Sequence, residues 1–145
     1  MDEPARHLDD ALKAMTFQVE PGSFALVGVT GPPRAEHLAL LSPPAQLIHE
    51  ADETSFLVRE EGLEPLLAAH PDARVECGLR WVRFESPMGW EVVGFLARVT
   101  GQLADAGIPI GAVCGYSRDH LFVADRYLER TRECLAGLFP ESPSQ

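Results

Sequence analysis

The chain predicts an α+β fold in which a β-α-β-β-α-β order is used twice. Three observations carry this. Val92, Phe95, Leu96, Val99, Leu103 and Ala106 recur at three- and four-residue spacing, which puts them on one face of a helix over 92–106. Two β-rich runs follow, Ile108 to Cys114 and Leu121 to Val123, around the polar turn Gly115-Tyr116-Ser117-Arg118-Asp119. Upstream, the same alternation of apolar runs and chain breakers appears once more.

The elements follow in order. Residues 1–15 read as an accessory helix with Leu8, Ala11, Leu12 and Met15 on one side. Thr16 to Val19 and Ser23 to Thr30 are strand-like and are separated by the turn Glu20-Pro21-Gly22. Gly31-Pro32-Pro33 breaks the chain before a short helix over Ala35 to Leu41, and Ser42-Pro43-Pro44 ends it. Gln46 to Glu50 and Ser55 to Glu60 form two strands around the acidic turn Ala51 to Thr54. Leu63 to His70 is a short helix stopped by Pro71, and Arg74 to Glu85 is strand-rich.

The junction between the two copies falls inside 74–85. This gives an N-terminal accessory segment (1–15), a first unit (16–78), a second unit (79–138) and a tail (139–145). In the second copy Ala106-Gly107 supplies a left-handed helix stop, Pro109 prevents resumption, and Arg126 to Leu138 is the closing helix. No last strand is recognisable there, so Thr16 to Val19 is a candidate for the vacant sheet edge.

Composition narrows the function classes. An apolar fraction of 46% is that of a globular protein. Twenty-two acidic against 12 basic residues give a net charge of −10, which repels nucleic acid and suits a soluble surface. The three cysteines, Cys77, Cys114 and Cys134, are widely spaced and read as buried free thiols rather than as disulfides or metal ligands. The five histidines are scattered, with no pair at ligand spacing, so no metal site is expected. The acidic start MDEPARHLDDALKAM lacks the apolar core of a signal peptide. No apolar run reaches membrane-spanning length, and a cytoplasmic location without membrane partners is expected.

The segment VGFLARVTGQLADAGIPI (93–110), the turn GYSRDH and the strand LFV resemble the ACT domain of bacterial tandem-ACT proteins. FQVEPGSFALVGV and ADETSFLVRE are similar to the N-terminal domain of the same proteins, so the resemblance spans roughly 16–138. Aspartate-kinase regulatory domains and cytosolic arginine sensors belong to the same broad class. The resemblance implies two ferredoxin-like units packed side by side, with antiparallel sheets and helices on one face. It also implies amino-acid binding between two ACT units, possible homodimerisation, no cofactor and no catalysis. The turn departs from the family pattern at Cys114, Gly115 and Ser117, keeps Tyr116 and Asp119, and has His120 where an aromatic is common.

Eight residues are candidates for the ligand: Met88, Gly89, Trp90, Glu91, Val92, Tyr116, Ser117 and Asp119. Unpaired N–H groups at the start of the 92–106 helix suit a carboxylate, and Asp119 on the adjoining turn suits an ammonium or guanidinium. The Glu91 charge opposes a ligand carboxylate unless it points away. Local readings stand beside this one: Gly89 and Gly94 permit a turn and close packing, and Asp119 caps a hairpin. Trp90 covers a ligand, lids the core or meets a partner. No nucleophile elbow, Cys-His pair or phosphate loop is present, which argues against an enzyme. The rival reading is a ligand-free tandem-ACT module for interaction or oligomerisation.

Overall fold

The computed structural model describes residues 3–143. In chain order the elements are α1 (Glu3–Ala14), β1 (Phe17–Val19), β2 (Phe24–Thr30), a 3-10 helix (Ala35–Leu40), β3 (Gln46–His49) and β4 (Glu53–Arg59). Then come α2 (Glu64–Ala69), β5 (Arg74–Phe84), α3 (Phe95–Asp105), β6 (Gly111–Cys114), β7 (Asp119–Ala124), a 3-10 turn (Asp125–Tyr127) and α4 (Leu128–Ala136). The class is α+β, as expected. The chain divides into two compact units, residues 22–79 and the flanking stretches up to 21 and from 80 onward.

In the unit 22–79 the strand order is β3-β4-β2-β5, and each of these neighbouring pairs is antiparallel. Alternation in β2 sends Ala25, Val27 and Val29 inward, where they meet Phe56, Val58, Leu63 and Leu66. Pro65 sits in the first turn of α2, where no N–H is needed, and so favours that helix start. The prolines at 32, 33, 43 and 44 leave room for only one short 3-10 helix between them.

In the other unit the order runs from β1 to β5, then β7 and β6. β1 pairs antiparallel with β5, Phe17 opposite Phe84 and Val19 opposite Val82, so the candidate edge strand occupies that edge. Its core holds Met15, Phe17, Phe84, Val99, Leu103, Leu121 and Leu135, all essentially inaccessible to solvent. Leu8 and Leu12 of α1 pack against this core, which accounts for the apolar stripe of the N-terminal segment.

The structure differs from the sequence reading at several places, each for a local reason. Helix α3 begins at Phe95 rather than Val92, because Gly94 at φ 92° is left-handed and cannot be a helical residue. Its end follows the expected stop: Gly107 (φ 72°) donates to Ala104 O and Ile108 to Leu103 O, a Schellman pattern. Strand β6 starts only at Gly111, after Ile108-Pro109-Ile110. Arg74 to Phe84, inside which the junction of the two copies was expected, is one continuous strand. The closing helix is preceded by a 3-10 turn and starts at Leu128.

Two expectations about burial are corrected. Cys77 and Cys114 are exposed and Cys134 is half-buried, because the apolar runs that hold them turn those positions outward. Residues 139–142 are no loose tail, while 144–145 lie outside the described residues. Phe139 is 3% exposed, and its ring lies 5.7 Å from that of Phe84 and 6.1 Å from those of Phe17 and Phe95. Phe17 N–H donates to Pro140 O (3.1 Å), Ser142 N–H donates to Phe17 O (2.7 Å), and Glu141 bridges Phe17 in parallel. Among the described residues no helix is long and apolar enough to cross a membrane.

Candidate functional site

The loop after β5 and the turn between β6 and β7 lie side by side. Met88 N–H donates to the Ser117 carbonyl at 3.1 Å, and Gly115 N–H to Arg118 O at 2.9 Å closes the turn. Between them and the first turn of α3 opens a cleft of about 450 Å³, the range of small-molecule sites. Seven sequence candidates line it: Met88, Gly89, Trp90, Val92, Tyr116, Ser117 and Asp119. Glu91 does not; its carboxylate folds back over Gly89.

Seven further residues line the cleft that the sequence reading did not single out for the ligand: Gly94, Phe95, Leu96, Ala97, Cys114, Gly115 and Arg118. The first three helical residues, Phe95 to Ala97, carry N–H groups that precede the first intrahelical bond, from Arg98 N–H to Gly94 O (3.0 Å). No side chain caps this end of α3. Its positive end is therefore open to the cleft. The shift of the helix start from 92 to 95 moved these donors off the predicted residues. The signal that locates them was Gly94 itself, a residue able to take φ > 0 just ahead of the apolar periodicity.

The turn adds one acid and one base. Asp119 opens β7 opposite Cys114 in the ladder. The Cys114 thiol donates to Gly115 O (3.2 Å); desolvation and then the neighbouring Asp119 carboxylate hold its pKa above the ordinary thiol value. Arg118 directs Nε toward the Glu85 carbonyl at 3.4 Å. Beneath the turn, Trp81 Nε1–H donates to His120 Nδ1 (3.0 Å), so the imidazole carries its proton on Nε2. Burial first, then the Arg83 and Arg118 charges, hold the His120 pKa below its usual value, and the ring is neutral at pH 7.

Trp90 is 95% exposed, which corrects its reading as a lid on the core. Tyr116 is fully exposed and Val93 largely so. Among the described residues no three His, Cys, Asp or Glu side chains gather as a metal site.

Residues 74–136 match the family model of the ACT domain. The match contains the whole cleft, from Met88 to Asp119. No curated protein sequence matches the chain. Solved structures are similar in fold. A protein from Agrobacterium tumefaciens is 22% identical, with a TM-score of 0.73, covering 88% of this chain and 90% of that one. A Vibrio cholerae protein of unknown function, described as a possible transport protein, is 19% identical with a TM-score of 0.69, covering 94% and 98%. The ligand-free regulatory subunit of aspartate kinase from Thermus thermophilus is 16% identical with a TM-score of 0.60, covering 87% and 99%. The fold thus resembles that of solved aspartate-kinase regulatory subunits.

Proposed function

We propose that this chain is a non-catalytic regulatory protein that binds a small amino acid in the cleft at 88–97 and 114–119. One observation carries the reading: uncapped N–H groups of Phe95 to Ala97 and the Asp119 carboxylate line the same cleft. The first suits a carboxylate, the second an ammonium, which is the charge pattern of a zwitterion. Apolar Met88, Val92 and Leu96 leave room for a side chain of modest size. The two units are two ferredoxin-like ACT units in tandem, with ligand occupancy shifting a packing equilibrium rather than driving chemistry. The cytoplasm is the proposed location.

The test is thermal unfolding of the full chain against each of the twenty amino acids. A ligand at one hundred times its Kd stabilises by about 2.7 kcal/mol. The expected result is a concentration-dependent rise in Tm with one amino acid or a few related ones. Asp119→Asn removes that rise while leaving the unliganded Tm in place. If no amino acid shifts Tm at concentrations up to about 10 mM or its own solubility limit, the ligand-free interaction module is correct instead. The exposed trio Trp90, Val93 and Tyr116 is the observation that favours that second reading.

A further inference from the structure

Two histidines far apart in sequence meet inside the unit 22–79, and nothing in the ligand reading uses them. His37 on the 3-10 helix is 2% exposed and His70, which caps the end of α2, is 6% exposed. Their Nε2 atoms face each other at 3.1 Å, and the His37 ring stands edge-on to Phe56 of β4 at 4.8 Å.

The hydrogen-bond partners decide where the protons are. Arg34 N–H donates to His37 Nδ1 at 2.9 Å, so that nitrogen must keep its lone pair. His37 therefore carries its proton on Nε2 and donates it to His70 Nε2, which accepts. A further proton on His37 would have to sit on Nδ1, against the Arg34 N–H. A proton on His70 Nε2 would set two N–H groups head to head. Either way one of the two contacts breaks.

We propose that His37 and His70 form a one-proton latch that fixes the 3-10 helix 35–40 to the end of α2 and opens when the pair takes up a further proton. The surroundings agree. Burial is the largest influence and lowers the His37 pKa; His70 and Arg34 lower it further and Glu36 opposes them. β4 contributes the apolar Phe56 ring to this contact. The sign follows from linkage. A histidine whose folded pKa is depressed contributes fully above its unfolded value, about 6.5, and the contribution is lost as pH falls below it. For one excluded proton the opening constant grows about tenfold between pH 7.5 and 5.5. A metal shared between the two Nε2 atoms would need lone pairs on both, with the His37 proton on Nδ1, where the Arg34 amide already points.

The test is long-range 1H–15N NMR of the histidine rings in the full chain from pH 8 to 5, with amide exchange of Arg34 read alongside. The expected result is a His37 ring protonated on Nε2, and Arg34 protection that falls about tenfold by pH 5.5 relative to the intrinsic exchange rate. His70→Gln, which keeps an acceptor near the Nε2 position, retains Arg34 protection at pH 7.5. A His37 proton on Nδ1, titration of His37 near pH 6.5 with Arg34 protection unchanged, or equimolar zinc that collapses both ring signals would each overturn the latch. If His70→Gln does not fold, the wild-type spectra still decide.

Discussion

Two glycines in and beside helix α3 make the same substitution give opposite signs. Gly94 precedes the helix at φ 92°, a conformation that costs an L-residue about 1–2 kcal/mol. A Cβ there would meet Leu8 Cδ2 at 3.5 Å, an ordinary contact, so crowding adds nothing and the whole cost is backbone. Gly101 lies inside α3, is exposed, and a Cβ there meets nothing within 4 Å. Gly94→Ala should therefore lose about 1–2 kcal/mol, and Gly101→Ala should gain about 0.5–1 kcal/mol. At about 3 °C per kcal/mol for a chain of this size, Tm should fall for the first and rise for the second. Urea unfolding at pH 7.5 measures both, and Gly94→Asn should recover part of the loss because Asn tolerates the left-handed region. The reasoning is refuted if Gly94→Ala matches the wild type, or if Gly101→Ala is the more damaging of the two. Because Gly94 also lines the cleft, its Ala variant tests whether the helix start is held there by this residue.

Two further outcomes follow from the packing and the cleft. Phe139→Ala empties a buried position among Phe17, Phe84 and Phe95 and should cost about 3–5 kcal/mol in urea unfolding, whereas a solvent-facing tail would show no change. Cys114, exposed but with its thiol pKa raised by desolvation and by Asp119, should alkylate slowly at pH 7.5 with a rate that climbs above pH 9. Asp119→Asn should speed that reaction, as mass spectrometry of iodoacetamide-treated protein would show, and an unchanged rate would remove Asp119 as a cause.

Much of the candidate cleft was legible because it rests on local chemistry. Met88, Gly89 and Trp90 on one loop and Tyr116, Ser117 and Asp119 on another stand out as a glycine-bearing connection and a polar turn between apolar runs. Arg118 lies in the same turn but carried no periodic signal. Phe95 and Leu96 were hidden by their own apolarity: the sequence shows them as core face, whereas what Phe95 to Ala97 bring to the cleft is backbone N–H, which every residue type shares. Glu91 illustrates the converse, a charged residue in the right loop whose rotamer turns it away.

The sequence by itself determined the α+β class, the order of the elements, the Gly107 helix stop and the apolar stripe of α1. All of these follow from periodicity and from the φ preferences of glycine and proline, which act within a few residues. Only the tertiary structure decided that Phe139 is core, that Cys77 and Cys114 face outward, and that His37 and His70 meet through their Nε2 atoms. Those facts depend on which distant segments meet: 33 residues separate the two histidines, and 122 separate Phe17 from Phe139. Pattern along the chain assigns each residue a face; what lies opposite that face is set by the packing of the whole.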